Sequence, residues 1–94
     1  MALDLNDSIR ISEAYCNLAL TFNQIDNYDE ALDLLQKGLN YTINNDYNKV
    51  KILDNLAITY TYLENFDKAK FYLDSSYRLK IKNNFLSELI QSHL

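Results

Sequence analysis

Ninety-four residues with a formal net charge of −4, no Pro, no Trp and a single Gly exclude several classes at once. Collagenous and low-complexity chains need the Pro and Gly that are absent, a disulfide scaffold needs more than Cys16, and 48% hydrophobic residues is too many for intrinsic disorder. No apolar run approaches the roughly 18–20 residues of a membrane span, and the start of the chain lacks the basic flank of a signal peptide, so a cytoplasmic chain with no membrane partner is expected.

Helix interiors tolerate Pro and Gly poorly, so the composition predicts an all-α chain with short connections. Ile11, Ala14, Tyr15, Leu18, Ala19 and Phe22 keep the 3–4 spacing of one helical face, which predicts a helix over 8–24. Asp26-Asn27 breaks it. Asp29 and Glu30 then load the first turn of a second helix, predicted over 28–44, whose stripe is Leu32, Leu35 and Leu39 beside Ala31 and Gly38. A third helix, over 47–63, carries Ile52, Leu53, Leu56, Ala57 and Tyr60. A fourth, over 66–82, carries Ala69, Leu73, Tyr77 and Ile81, and a fifth is predicted from about 85 to the end.

These elements repeat. Asn17-Leu18-Ala19-Leu20-Thr21-Phe22 recurs as Asn55-Leu56-Ala57-Ile58-Thr59-Tyr60, Asn27-Tyr28-Asp29-Glu30-Ala31 as Asn65-Phe66-Asp67-Lys68-Ala69, and Ile43-Asn44-Asn45 as Ile81-Lys82-Asn83. Every pair is 38 residues apart and no gap is needed. Small residues (Ala19 and Ala57 answered by Ala31 and Ala69) allow close backbone approach, and Phe22, Tyr60, Tyr28 and Phe66 are expected to fill the wider spaces beside them. Such a pair cannot bury its outer face alone, so pairs stack into a solenoid.

The pattern Leu18-Ala19…Phe22…Tyr28…Ala31…Leu35 and its copy Leu56-Ala57…Tyr60…Phe66…Ala69…Leu73 resembles the tetratricopeptide repeat over roughly residues 11–83. The resemblance implies an α-solenoid of two helix pairs in a single domain spanning 1–94, with repeat 1 over 8–45 and repeat 2 over 46–83. A terminal helix over 85–94 would be a cap or a partial third repeat. Departures are the period of 38 in place of the usual 34, Ile43 and Ile81 where a closing Pro is common, and Gly38 and Ser76 where Ala is usual. The extra residues are expected to lengthen the second helix and the Asn-rich connection, with the helices running on through Ile43 and Ile81. In the same register Phe85 follows Tyr47, Ile90 follows Ile52 and Leu94 follows Leu56, halfway into a third unit. Arrays of this kind generally need at least three repeats, so continuation into further repeats or a homodimer is expected.

Longer, Asn-rich repeats also resemble the peptide-sensing domains of transcriptional regulators from low-GC Gram-positive bacteria, where a repeat domain binds a secreted signalling peptide and a separate domain delivers the output. Twelve Asn and eight Tyr are what AT-rich codons supply.

In a stack of such repeats the first helix of each pair lines the concave face. Its residues pointing away from the core are Glu13, Cys16, Asn17, Leu20, Asn23 and Gln24, then Lys51, Asp54, Asn55, Ile58, Thr61 and Tyr62. Asn17 and Asn55 are equivalent, and an Asn amide offers one acceptor and two donors, so it can bond both the N–H and the C=O of an extended peptide. Leu20 and Ile58 would supply an apolar strip. The alternative for the two Asn residues is a bridge between neighbouring helices. The Lys and Asn clamp with which chaperone-tail binders of this family hold a terminal carboxylate is missing, since its sites hold Cys16, Leu20 and Asp54.

Catalysis has little to stand on. His93 is the only His, no cluster has metal-ligand spacing, Cys16 has no positioned base, and no Gly-rich loop is present. No enzyme activity, cofactor or metal is expected. Residues 1–47 carry eight acids against Arg10 and Lys37, a net of −6, while 48–94 carry five acids against seven bases, a net of +2. Arg78, Lys80 and Lys82 fall where a helix ends and a cation is favoured, so direct nucleic-acid binding is not expected. Phe71 and Tyr72 replace Asp33 and Leu34, adding aromatic surface for self-association. The sequence therefore predicts a peptide- or protein-binding module of a larger regulator, or alternatively a self-associating scaffold.

Overall fold

The structure, a computed structural model, describes residues 5–83. Four helices follow one another: α1 over Leu5–Gln24, α2 over Tyr28–Leu39, α3 over Asp46–Tyr62 and α4 over Phe66–Lys82. The fold is all-α among the described residues, and its short connections leave successive helices antiparallel. The predicted terminal helix over 85–94 lies outside the described residues.

The 38-residue repeat is a repeat of backbone geometry. Each pair turns through a residue in the left-handed region, Asp26 and Glu64, both at φ 61°. The Asn27 and Asn65 N–H groups reach back to the Phe22 and Tyr60 carbonyls at 2.9 Å, and the preceding N–H groups bond Asn23 and Thr61. This turn satisfies the carbonyls that a helix C-terminus leaves open. Asn residues then stand at the start of α2, α3 and α4. Asn45 Oδ1 accepts from Asn48 N at 3.1 Å and Asn65 Oδ1 from Lys68 N at 3.3 Å, whereas Asn27 makes no side-chain cap bond.

One boundary differs from expectation. α2 ends at Leu39, five residues before the predicted 44, so the chain does not run on as helix through Ile43, which is 76% exposed. Asn40, Tyr41 and Thr42 instead make successive i→i+3 bonds, and the buried Thr42 hydroxyl donates to the Leu39 carbonyl at 2.7 Å. The equivalent residues of α4, Arg78, Leu79 and Lys80, are better helix formers, and α4 continues to Lys82. The extra residues of the period therefore lengthen a connection in repeat 1 and a helix in repeat 2.

The core is one cluster in which Ala19, Ala31, Leu35, Ile52, Leu53 and Leu56 are buried. Gly38 matters here because a Cβ at that position would stand 3.0 Å from Tyr15 Cβ and 3.2 Å from Ile52 Cδ1, so α2 approaches both first helices closely. Parts of the predicted stripes are not core. Leu18, Leu73, Tyr77 and Ile81 are about half exposed, and Phe66 is exposed rather than filling a gap. These lie on the outer sides of α1 and α4, where no described helix packs.

Candidate functional site

α1 and α3 run side by side, and their seam is polar. Asn48 Nδ2 donates to Ser12 Oγ at 2.9 Å, Asn55 Nδ2 to Cys16 Sγ at 3.1 Å, and Asn23 Nδ2 to Thr59 Oγ1 at 3.0 Å. Ser12, Asn48 and Thr59 are fully or nearly buried. Paired buried polar groups of this kind hold two helices in a defined register, because slippage would leave each unsatisfied. Periodicity assigns none of these three a role, Thr59 entering only as part of the repeated block. The signal on α3 is a polar residue at each end of its apolar stripe, Asn48 before Ile52 and Leu56 and Thr59 after them.

Above this seam lies an open groove. At one end a depression of about 160 Å³ is lined by Glu13, Cys16, Asn17, Lys51 and the seam residues. It continues into a second of about 310 Å³ lined by Cys16, Asn17, Leu20, Lys51, Asp54 and Asn55. The structure thus brings Asn17, Leu20, Lys51, Asp54 and Asn55 together on one surface.

Their hydrogen-bonding capacity differs. Asn17 is exposed, and among the described residues its side-chain amide makes no hydrogen bond. Asn55 Nδ2 is committed to Cys16 Sγ and, at 3.0 Å, to the Lys51 carbonyl, which leaves its Oδ1 as the acceptor facing the groove. Asp54 is turned toward α4, where Ser76 Oγ donates to it at 2.5 Å and Lys80 Nζ sits at 3.2 Å. Lys51 Nζ lies 4.9 Å over the Tyr47 ring. Burial pushes the Cys16 thiol above its ordinary pKa, while the Asn55 bond and the Lys51 charge pull it down and Glu13 pushes it up.

Other predicted residues sit at the margins. Asn23 is tied to Thr59, and Gln24 is exposed at the end of α1. Ile58 and Leu20 are exposed on neighbouring helices. The exposed Thr61 hydroxyl donates to the Ala57 carbonyl at 2.8 Å, and Tyr62 stacks on Tyr28 with ring centroids 5.4 Å apart. Tyr72 packs inward, stacked on Tyr60 at 5.6 Å and bonded by Gln36 Nε2 at 3.0 Å, while Phe71 lies exposed edge-on to it. The pair therefore does not form one exposed aromatic patch. Among the described residues no group of three His, Cys, Asp or Glu could hold a metal ion, and no helix is long and apolar enough to cross a membrane.

Stacked helix pairs with identical turns, a polar inter-repeat seam and an open groove along the first helices define a helical-repeat interaction scaffold. The family model of the tetratricopeptide repeat matches residues 10–82, and the chain belongs to that family. No match to the chain was found among curated proteins or among solved structures. Tetratricopeptide repeats generally mediate protein–protein interaction and are not themselves a catalytic repeat.

Proposed function

We propose that the groove between α1 and α3 binds an extended segment of a peptide or protein partner. The observation that carries this reading is the pairing of an uncommitted Asn17 amide with an Asn55 amide that has only its acceptor left, on one groove with Leu20 and Lys51. An extended backbone presents N–H and C=O groups alternately. Asn55 Oδ1 takes a ligand N–H, and Asn17 takes an N–H and a C=O together. The Leu20 and Ile58 strip receives an apolar side chain of the ligand, and Lys51 favours an acidic group near one end. The finer form of the proposal is a cytoplasmic sensing module, whose groove receives a signalling peptide for a bacterial transcriptional regulator. Its support is the resemblance of the long Asn-rich repeats.

Selection from a random-peptide library, followed by titration of the selected peptide into labelled protein, tests the groove. The Asn17 and Asn55 side-chain amide signals shift on binding, and Asn17→Ala and Asn55→Ala each weaken the complex by about 1–3 kcal/mol. Unchanged affinity in both variants, or shifts confined to α2 and α4, would overturn the assignment.

A further inference from the structure

Two apolar faces lie apart from the groove. On α4, Phe66, Leu73, Tyr77 and Ile81 fall on one side of the helix and are all more than half exposed. On α1, Ile11, Ala14, Tyr15 and Leu18 line an apolar depression of about 250 Å³, with Leu18 48% exposed.

The repeat shows what each face is shaped to meet. In the 38-residue register Leu73 and Tyr77 correspond to Leu35 and Leu39 of α2, and Ala14 and Leu18 correspond to Ile52 and Leu56 of α3. Those four residues belong to, or pack against, the core cluster through which α1, α2 and α3 meet. Leu35, Ile52 and Leu56 are essentially fully buried in one cluster, with Leu39 packed against it. Among the described residues there is therefore one joined copy of an interface and, on α4 and α1, two faces that repeat its halves without a described helix against them.

We infer that a second copy of this chain docks head to tail, its α1 lying on α4 of the first as α3 lies on α2. Charge agrees with this pairing. α4 ends in Lys80 and Lys82, already set against Asp54 and Asp46 of α3, α1 carries Asp7 beside Arg10 in its first turns, and the antiparallel α2–α3 arrangement applied to the new pair brings these ends together. The halves of the chain carry −6 and +2, which favours unlike ends over like ones. Such an interface is heterologous. Each docked copy leaves one α1 face and one α4 face open, so association does not stop at a dimer.

Sedimentation of the full 94-residue chain from micromolar to millimolar concentration tests this. The expected result is a weight-average mass that rises steadily past the dimer. Leu18→Glu and Leu73→Glu, at half-exposed positions, each weaken self-association by more than about tenfold while circular dichroism keeps its helical signal. Mixing the two variants restores a complex that stops at one heterodimer, because only the α4 face of one and the α1 face of the other remain intact. A monomer at every concentration would overturn the inference. So would a symmetric dimer that either variant still forms alone.

Discussion

Leu35 and Leu73 occupy the same place in two copies of one sequence pattern, yet Leu35 is 0% exposed and Leu73 is 51% exposed. α2 is pressed between α1 and α3, whereas α4 packs on α3 and reaches α2 through the Gln36–Tyr72 bond. The difference is one of neighbours rather than of residue type. A repeat specifies a face, and only the adjacent unit decides whether that face becomes core.

Truncation at the two sites should expose this directly. Leu35→Ala empties a packed site and should cost about 2–5 kcal/mol. Leu73→Ala, measured at dilution low enough to keep the chain monomeric, should cost under about 1 kcal/mol. Urea unfolding followed by circular dichroism compares them, and equal losses would mean that α4's outer face is already packed in the monomer.

Asn48 and its register partner Arg10 draw the same contrast in polar terms. Asn48 is 3% exposed and donates to the buried Ser12, while Arg10 makes an exposed 3.4 Å contact with Asp7. Asn48→Ala should cost about 1–3 kcal/mol, since the Ser12 hydroxyl loses its buried donor. Arg10→Ala should change stability by less than about 0.5 kcal/mol, because exposed ion pairs contribute little. Comparable losses from the two would remove the seam as the element that sets α1 against α3.

How far the sequence carries the fold follows from these pairs. The helix order, the 38-residue register and the small residues at the crossings (Ala19, Ala31, Ala57 and Ala69, all buried) were legible because each is a local or periodic signal. The early end of α2 was not. It depends on the Thr42 hydroxyl closing onto Leu39, a bond that composition does not announce. Nor could periodicity say that Leu18 and Leu73 lie open, since exposure there depends on what packs next. At the groove, the resemblance made legible that Asn17, Leu20, Lys51, Asp54 and Asn55 share one surface. What stayed hidden was the division of labour, in which Asn55 spends its donors on Cys16 and Lys51, Asp54 turns to Ser76 and Lys80, and Asn17 remains uncommitted.

Cys16 and Asp54 are also 38 apart, and they sit in different environments. Asp54 forms an ion pair with Lys80, whereas Cys16 is a buried thiol whose pKa is raised, first of all by desolvation. The sign of the effect on stability follows from proton binding. Below the ordinary thiol pKa of about 8.5 both folded and unfolded chains hold the proton, and Cys16 adds no pH dependence. Above it the unfolded chain releases the proton while the folded chain retains it, so stability falls as pH rises. Tyr and Lys side chains titrate nearby and add their own slope, but that background is common to a Cys16→Ala variant. The difference between wild type and Cys16→Ala in urea midpoint, followed from pH 7 to about pH 10, should be flat to about pH 8.5 and then move against the wild type. A difference that stays flat throughout would mean that the thiol ionises as readily in the folded seam as in the open chain, and that the groove floor is wetter than its burial indicates.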